Sequence, residues 1–135
     1  RVGNDTILVN NTALAGHVEV GDWAILSGYT LVHQFCKIGA HSFSGMGTSI
    51  GKDVPAYITV AGSPAEAKTI NVEGLRRRGF DSAEIAALRR AFKILYRQSL
   101  TLDAAVERLQ AMAAETPSLQ PLIDSLMQSQ RGIVR

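Results

Sequence analysis

Residues 1–60 fall into ten blocks of six: RVGNDT ILVNNT ALAGHV EVGDWA ILSGYT LVHQFC KIGAHS FSGMGT SIGKDV PAYITV. The second place of successive blocks holds Val2, Leu8, Leu14, Val20, Leu26, Val32, Ile38, Ser44, Ile50 and Ala56, apolar in nine of ten. The sixth place holds Thr6, Thr12, Val18, Ala24, Thr30, Cys36, Ser42, Thr48, Val54 and Val60, all small or β-branched. Neither a helical nor an alternating-strand pattern has a period of six, whereas hexapeptide repeats are the signature of a parallel β-helix. Three short strands per turn make a triangular coil of about 18 residues, with the two rows filling the inside and the other places facing solvent or a neighbour. Gly3, Gly21 and Gly39 would then stack at one corner, where a tight bend favours backbone angles that a Cβ would penalise.

Residues 1–62 supply a little over three such coils, and the repeat is already in phase at Arg1. An uncapped first coil would leave strand edges and an apolar cross-section open, so the expectation is the C-terminal part of a longer protein. Residues 63–80 lose the period and read as a loop that carries a binding motif. Helices are expected over residues 81–135. Asp81 and Glu84 have capping-box spacing ahead of a stripe of Ile85, Leu88, Ala91, Phe92 and Leu95. Thr101 is placed to cap a second helix through Ala105, Val106, Leu109 and Met112, and Thr116 with Pro117 to start a third. The stripes suit packing rather than ligand binding, and a helical unit of about 55 residues needs the coils for support.

Composition narrows the function classes. Hydrophobic residues make up 46% and charged residues 19% of the 135, the balance of an ordinary globular chain. A formal charge of +2, with Arg76, Arg77 and Arg78 as the one dense run, gives no basis for nucleic-acid binding. No apolar run is long enough to span a membrane, nor does the start resemble a signal peptide, so no stable membrane insertion and a cytoplasmic location are expected. Cys36 is the only cysteine, which rules out an internal disulfide and fits a reducing compartment.

Several stretches together are more specific than the repeat. "NNTALAGHVEVGDWAILSGYTLVHQFCKIGAH", "DVPAYITVAGSPA", "NVEGLRRRGF" and the closing "RGIVR" resemble the UDP-N-acetylglucosamine O-acyltransferase family, along all 135 residues. The resemblance implies a left-handed parallel β-helix followed by a small C-terminal α-helical domain. It also implies a homotrimer with clefts between neighbouring subunits, and acyl carrier protein and UDP-N-acetylglucosamine as partners. The reaction implied is transfer of a 3-hydroxyacyl group to the 3-hydroxyl of the sugar nucleotide, the opening step of lipid A synthesis in Gram-negative bacteria. No cofactor is implied, because the donor is already a thioester.

Such a transfer needs a base for the sugar hydroxyl and a donor for the thioester oxyanion. The family's base is a histidine in a motif that lies upstream of the segment matching Arg1 to Gly3, so this chain alone is expected to be nearly inactive, a loss of ~10²–10⁴ in rate. Gly16 matches the glycine whose backbone N–H is assigned to the oxyanion; a glycine that merely eases a bend explains the residue type equally well. His17, His33 and Gln34 match residues lining the substrate cleft, with a trimer-interface hydrogen bond as the other reading of His33. His33 occupies a third place that elsewhere holds Gly, and a side chain there should point out of the coil. His41 lacks motif support and is assigned to surface or interface. Asn71, Glu73 and Arg77 match the nucleotide-binding stretch, where Arg77 suits a phosphate oxygen. Arg76 and Arg78 are expected either to be solvated or to dock the acidic carrier protein. Pro64 stands where some family members have histidine, so that side chain's contact has no counterpart here. Met46 stands where members using longer acyl chains have glycine. It implies a blocked groove and a donor of roughly ten carbons rather than fourteen, unless it simply fills a gap.

Three other readings compete. A sister acyltransferase that acylates the glucosamine nitrogen shares the coil, but "GLRRRGF" argues against it. A hexapeptide zinc enzyme of the γ-carbonic-anhydrase kind would bind metal through histidines of adjacent subunits. His17, His33 and His41 lack the paired spacing that this needs, and no metal is expected. A catalytically incomplete trimeric binding fragment is the third.

Overall fold

The inward rows pair with themselves from coil to coil. In the computed structural model, which describes residues 1–135, eight two-residue strands precede two longer ones: β1 Ile7–Leu8, β2 Ala13–Leu14, β3 Glu19–Val20, β4 Ile25–Leu26, β5 Leu31–Val32, β6 Lys37–Ile38, β7 Phe43–Ser44, β8 Ser49–Ile50, β9 Ile58–Ala61 and β10 Glu66–Ile70. Three sheets form the three faces of a parallel β-solenoid of about three turns. The first face is β1-β4-β7-β9 with β10 added antiparallel, the second β2-β5-β8 and the third β3-β6. Val20, Leu26, Val32, Ile38 and Ile50 fill the interior with the sixth-place residues Ala24, Thr30, Cys36, Ser42 and Thr48.

Ser44, the polar exception in the aliphatic row, is fully buried and lies 2.8 Å from the Thr30 hydroxyl. Thr30 and Ser42 donate to the carbonyls of Ser27 and Gly39 three residues earlier, at 2.7 Å each. A hydroxyl buried in this row therefore keeps its hydrogen bond while closing the turn before it.

The corners differ from expectation in two respects. Gly3, Gly21 and Gly39 do stack, but none has a left-handed backbone. Glycine is required there by the next coil: a Cβ on Gly39 would lie 2.3 Å from the Ala56 nitrogen, and one on Gly21 2.6 Å from the Ala40 nitrogen. The left-handed residues are those in the fifth place: Asp5, Asn11, His17, Trp23, Tyr29, Phe35, His41 and Gly47, with φ between 56° and 75°. Each such conformation costs a non-glycine residue about 1–2 kcal/mol. In return the N–H points at the adjacent coil, as in Trp23 to the Asn4 carbonyl (3.0 Å), Phe35 to Gly16 (3.0 Å) and His41 to Asp22 (2.9 Å).

The frame also slips. Val2 pairs with Val20 and Val20 with Ile38, 18 residues apart, but Ile38 pairs with Val54 and Ser44 with Val60, 16 apart. Two residues are missing between Ile50 and Val54. Val54 and Val60 therefore take second places rather than sixth, Tyr57 (φ 72°) takes the fifth and Ile58 the sixth. Ala56 is buried against Gly39 at the corner and does not belong to the aliphatic row. The Asp53 carboxylate closes the shortened corner by accepting the Lys37 N–H at 2.8 Å.

Residues 63–80 are not a loop throughout. β10 pairs with β9 and satisfies the free edge of that strand, and helix α1, Val72–Arg77, follows directly. Then come α2 (Ser82–Tyr96), α3 (Leu102–Ala113) and α4 (Gln120–Gln128). Asp81 and Glu84 form the reciprocal capping box, and Thr101 caps α3 through the Ala104 N–H at 3.2 Å. Thr116 makes no capping bond: Pro117–Leu119 is a 3₁₀ turn leading into α4. The α2 stripe is buried as a unit with Leu109, Leu122, Ile123 and Leu126. The closing residues return to the solenoid, where Ile133 forms a parallel bridge with Asp53 and Tyr96 donates to the Val134 carbonyl at 2.9 Å.

Candidate functional site

The expected site residues occupy three different corners of the triangular section. Gly16, His17, His33 and Gln34 lie between the second and third faces, Met46 lies between the first and second, and Asn71, Glu73 and Arg77 lie beside the corner joining the third face to the first.

At the first of these corners the fourth-place N–H has no acceptor within the chain, for Gly16 and Gln34 alike. What distinguishes Gly16 is the space beside it, since nothing lies within 4 Å of where its Cβ would be. The Ala15 N–H is held by the Val32 carbonyl and the Gly16 carbonyl by the Phe35 N–H, each at 3.0 Å, so the peptide that carries the Gly16 N–H is anchored on both sides by the next coil. Beside it His17 is exposed and stacks flat on Phe35, with ring centroids 4.7 Å apart. His33 also faces outward, its backbone held by the Ile50 carbonyl at 2.9 Å. Its Nδ1 lies 3.1 Å from the Gln34 carbonyl oxygen and 3.3 Å from Arg131 Nη2. One edge thus combines an unscreened N–H with two imidazoles and an amide.

The second cluster is a groove of about 300 Å³ on the first face, beneath α1. Its floor is the outward apolar row Ile7, Ile25 and Phe43 with Trp23, and its rim is Glu73, Arg77 and Arg78. Asn71, nearly buried, caps α1: its Oδ1 accepts the Gly74 N–H at 3.3 Å and its Nδ2 donates to the His41 carbonyl at 3.1 Å. Asn71 therefore fixes the groove wall, with only one remaining amide hydrogen for a ligand. Glu73 and Arg77 pair across one turn at 3.5 Å and are both open to solvent.

Two side chains expected at the surface are partly buried here. His41 is half-buried, stacked with Tyr57 at 5.4 Å and edge-on to Phe80 at 5.4 Å, and its partners lie within the chain. Arg78 is only partly open to solvent. Its guanidinium sits 5.2 Å from the Trp23 ring centroid, and its Nη1 lies 3.0 Å from His41 Nδ1. Burial, and then the adjacent guanidinium, hold the His41 imidazole down at about 4, with Asp22 opposing. It is the neutral ring that accepts from Arg78. The eighteen-residue spacing of Asp5, Trp23 and His41 was the one sequence signal for this ladder.

A larger cavity of about 420 Å³ lies between the third face and α4, lined by Glu19, Lys37 and Asp124 among others, and contains none of the expected residues. No group of three or more His, Cys, Asp or Glu side chains is placed to hold a metal ion.

Residues 53–134 match the family model described as UDP-N-acetylglucosamine O-acyltransferase, domain 2. The chain belongs to this family. The acyl-(acyl-carrier-protein):UDP-N-acetylglucosamine O-acyltransferase of Ectopseudomonas mendocina is 66% identical over 134 residues, 99% of this chain and 52% of that protein. The corresponding enzyme of Pseudomonas entomophila is 65% identical with the same coverage. Among solved structures of the family, LpxA from Acinetobacter baumannii superposes with a TM-score of 0.97 at 45% identity, covering 99% of this chain and 52% of that one. UDP-N-acetylglucosamine O-acyltransferase from Moraxella catarrhalis gives 0.96 at 41% identity, with 98% and 51% covered. The chain spans about half the length of the curated acyltransferases it matches. No helix is long and apolar enough to cross a membrane.

Proposed function

We propose that the protein to which these coils belong transfers a 3-hydroxyacyl group from acyl carrier protein to the 3-hydroxyl of UDP-N-acetylglucosamine, as a homotrimer, in the first step of lipid A synthesis. The observation that carries this reading is the Gly16 edge: an exposed backbone N–H with open space beside it, next to His17, His33 and Gln34. A tetrahedral oxyanion requires a donor fixed before the charge develops, and a backbone N–H oriented by inter-coil hydrogen bonds meets that requirement.

In this reading a histidine from the upstream coils takes the proton of the sugar hydroxyl, and the alkoxide oxygen attacks the thioester carbon. The Gly16 N–H donates to the resulting oxyanion, and the intermediate collapses by breaking the C–S bond to release the carrier thiolate. His17, His33 and Gln34 hold the sugar, while Asn71, Glu73 and Arg77 hold the nucleotide, Arg77 as a donor to phosphate oxygen. The placement of these groups at separate corners supports a composite site, since a trimer can bring one subunit's corner against another's face. The thioester arrives activated, so the reading needs no cofactor.

The test is acyl transfer by this 135-residue chain and by the same chain joined to the upstream coils of a family member. Donors of several acyl lengths would be offered with UDP-N-acetylglucosamine. Transfer only by the extended protein supports the reading. Full activity in the short chain would place the base among His17, His33 and His41, and no transfer by either would sink it.

A further inference from the structure

One nitrogen of His33 faces two groups that make opposite demands on it. The Gln34 carbonyl, 3.1 Å from Nδ1, can only accept, and the Arg131 guanidinium, 3.3 Å from the same atom, can only donate. Nδ1 can therefore hydrogen-bond to Gln34 when it carries the proton, or to Arg131 when it does not. The contact with the cation is the charge-assisted one and the stronger of the two.

Arg131 is not a side chain on a loose end. It follows Ser129, whose hydroxyl donates to the Asp53 carboxylate at 2.7 Å, and precedes Gly132, whose carbonyl accepts the Asp53 N–H at 3.0 Å. The Val134 N–H returns to the Asp53 carbonyl at 2.8 Å, and Ile133 and Val134 are buried. Gly132 has φ +86°, a turn that a Cβ would strain, and Arg131 Nη2 also reaches toward the Gly51 carbonyl at 3.5 Å. The tail thus docks as a fragment of an additional coil and delivers a guanidinium to a residue 98 positions earlier.

We propose that Arg131 is a positioning residue that sets the tautomer of His33: by donating to Nδ1 it leaves the proton on Nε2, so that His33 offers the substrate a donor rather than a lone pair. The inference rests on the acyltransferase reading only for what His33 touches. The tautomer itself does not depend on turnover.

The experiment is ring-¹⁵N,¹³C-histidine NMR on the chain joined to its upstream coils, with the His33 signal assigned by its loss in His33→Asn. The expected wild-type spectrum has an unprotonated Nδ1 and a protonated Nε2. Arg131→Met keeps an apolar stem of similar length but removes the donors, and should exchange the two. Arg131→Lys keeps a donor and should retain the wild-type form. In kinetics, Arg131→Met should raise KM for the sugar nucleotide about three- to tenfold, the scale of one neutral hydrogen bond, with a smaller change in kcat. A protonated Nδ1 in the wild type, or an unchanged tautomer in Arg131→Met, overturns the assignment. Should Arg131→Met fail to fold, Arg131→Ala, which also removes the donors, takes its place and is read in the same way. A protonated Nε2 in a wild-type protein that transfers no acyl group would leave this inference standing and sink the acyltransferase reading; turnover with a protonated Nδ1 would do the reverse.

Discussion

Gly39 lies so close beneath Ala56 that a Cβ on it would come within 2.3 Å of the Ala56 nitrogen and 2.6 Å of its Cα. Both are backbone atoms, held by the pairing of Ile38 with Val54, and cannot move aside as a side-chain tip could. Gly39→Ala should therefore destabilise the protein by about 1–3 kcal/mol through overpacking. Gly51 has open space around its Cα and no left-handed φ, so Gly51→Ala should stay within ~0.5 kcal/mol of wild type. Denaturant unfolding of the two variants checks both, and equal stability would show that the coils can separate at this corner.

Asn71 joins the first turn of α1 to the solenoid corner, and its two bonds are separable. Asn71→Ala removes the cap on Gly74 and leaves the His41 carbonyl without its donor, a loss of roughly 2 kcal/mol. Asn71→Asp keeps the acceptor for Gly74 but cannot donate to His41, and should fall between Asn71→Ala and wild type. In the extended protein both variants should also raise KM for the sugar nucleotide, because the groove wall moves with α1. Unfolding and KM measured on the same preparations test this, and a change in KM without any change in stability would make Asn71 a ligand contact alone.

The coil was legible because its signal is repeated: an aliphatic residue at Val20, Leu26, Val32 and Ile38 leaves no other period to fit. The two-residue slip after Ile50 was not, since Val54 and Val60 suit the sixth place as well as the second, and the small Ala56 suits the second place as well as the corner it occupies. The backbone pairings of Ile38 with Val54 and of Ser44 with Val60 decide between the frames. The capping box of Asp81 and Glu84 is local and could be read from spacing. β10 depends on the edge that β9 leaves open, which no local pattern within residues 63–80 announces. His17 and His33 could be placed on the outside from their slots. The Arg78–His41 and Arg131–His33 contacts could not, because they join distant parts of the chain through the way the helices and tail dock.

Folding holds the His41 imidazole at about 4, well below its ordinary 6.5, chiefly through burial and secondarily through Arg78. Between those two values the unfolded chain carries a proton on this ring that the folded chain does not. Stability should therefore rise with pH from about 4 to 6.5, with the His41 contribution lost as pH falls through that window. His41→Phe preserves the aromatic ladder with Trp23, Tyr57 and Phe80 but removes the titration. The difference in unfolding free energy between wild type and His41→Phe, followed from pH 4 to 6.5, should slope upward with pH. A flat difference would mean that the folded ring takes up its proton as readily as the unfolded one.

Met46 is 77% exposed at a corner remote, within one subunit, from both Gly16 and Asn71. Gap-filling within the core of one chain requires burial, which Met46 lacks. A large apolar residue left open in one chain is suited to meet something outside it, and in the proposed trimer that is the acyl tail running between subunits. Removing the thioether should then lengthen the groove while leaving the chemistry at Gly16 untouched. Met46→Gly in the extended protein should shift the ratio of kcat/KM for a donor of about fourteen carbons over one of about ten by ~10–200-fold, the discrimination a pocket commonly gains from a methylene-sized obstruction. Met46→Leu, of similar bulk, should keep the short-chain preference. Competition between the two donors in a single reaction reads this ratio directly, and an unchanged ratio in Met46→Gly would remove Met46 from any role in chain-length selection.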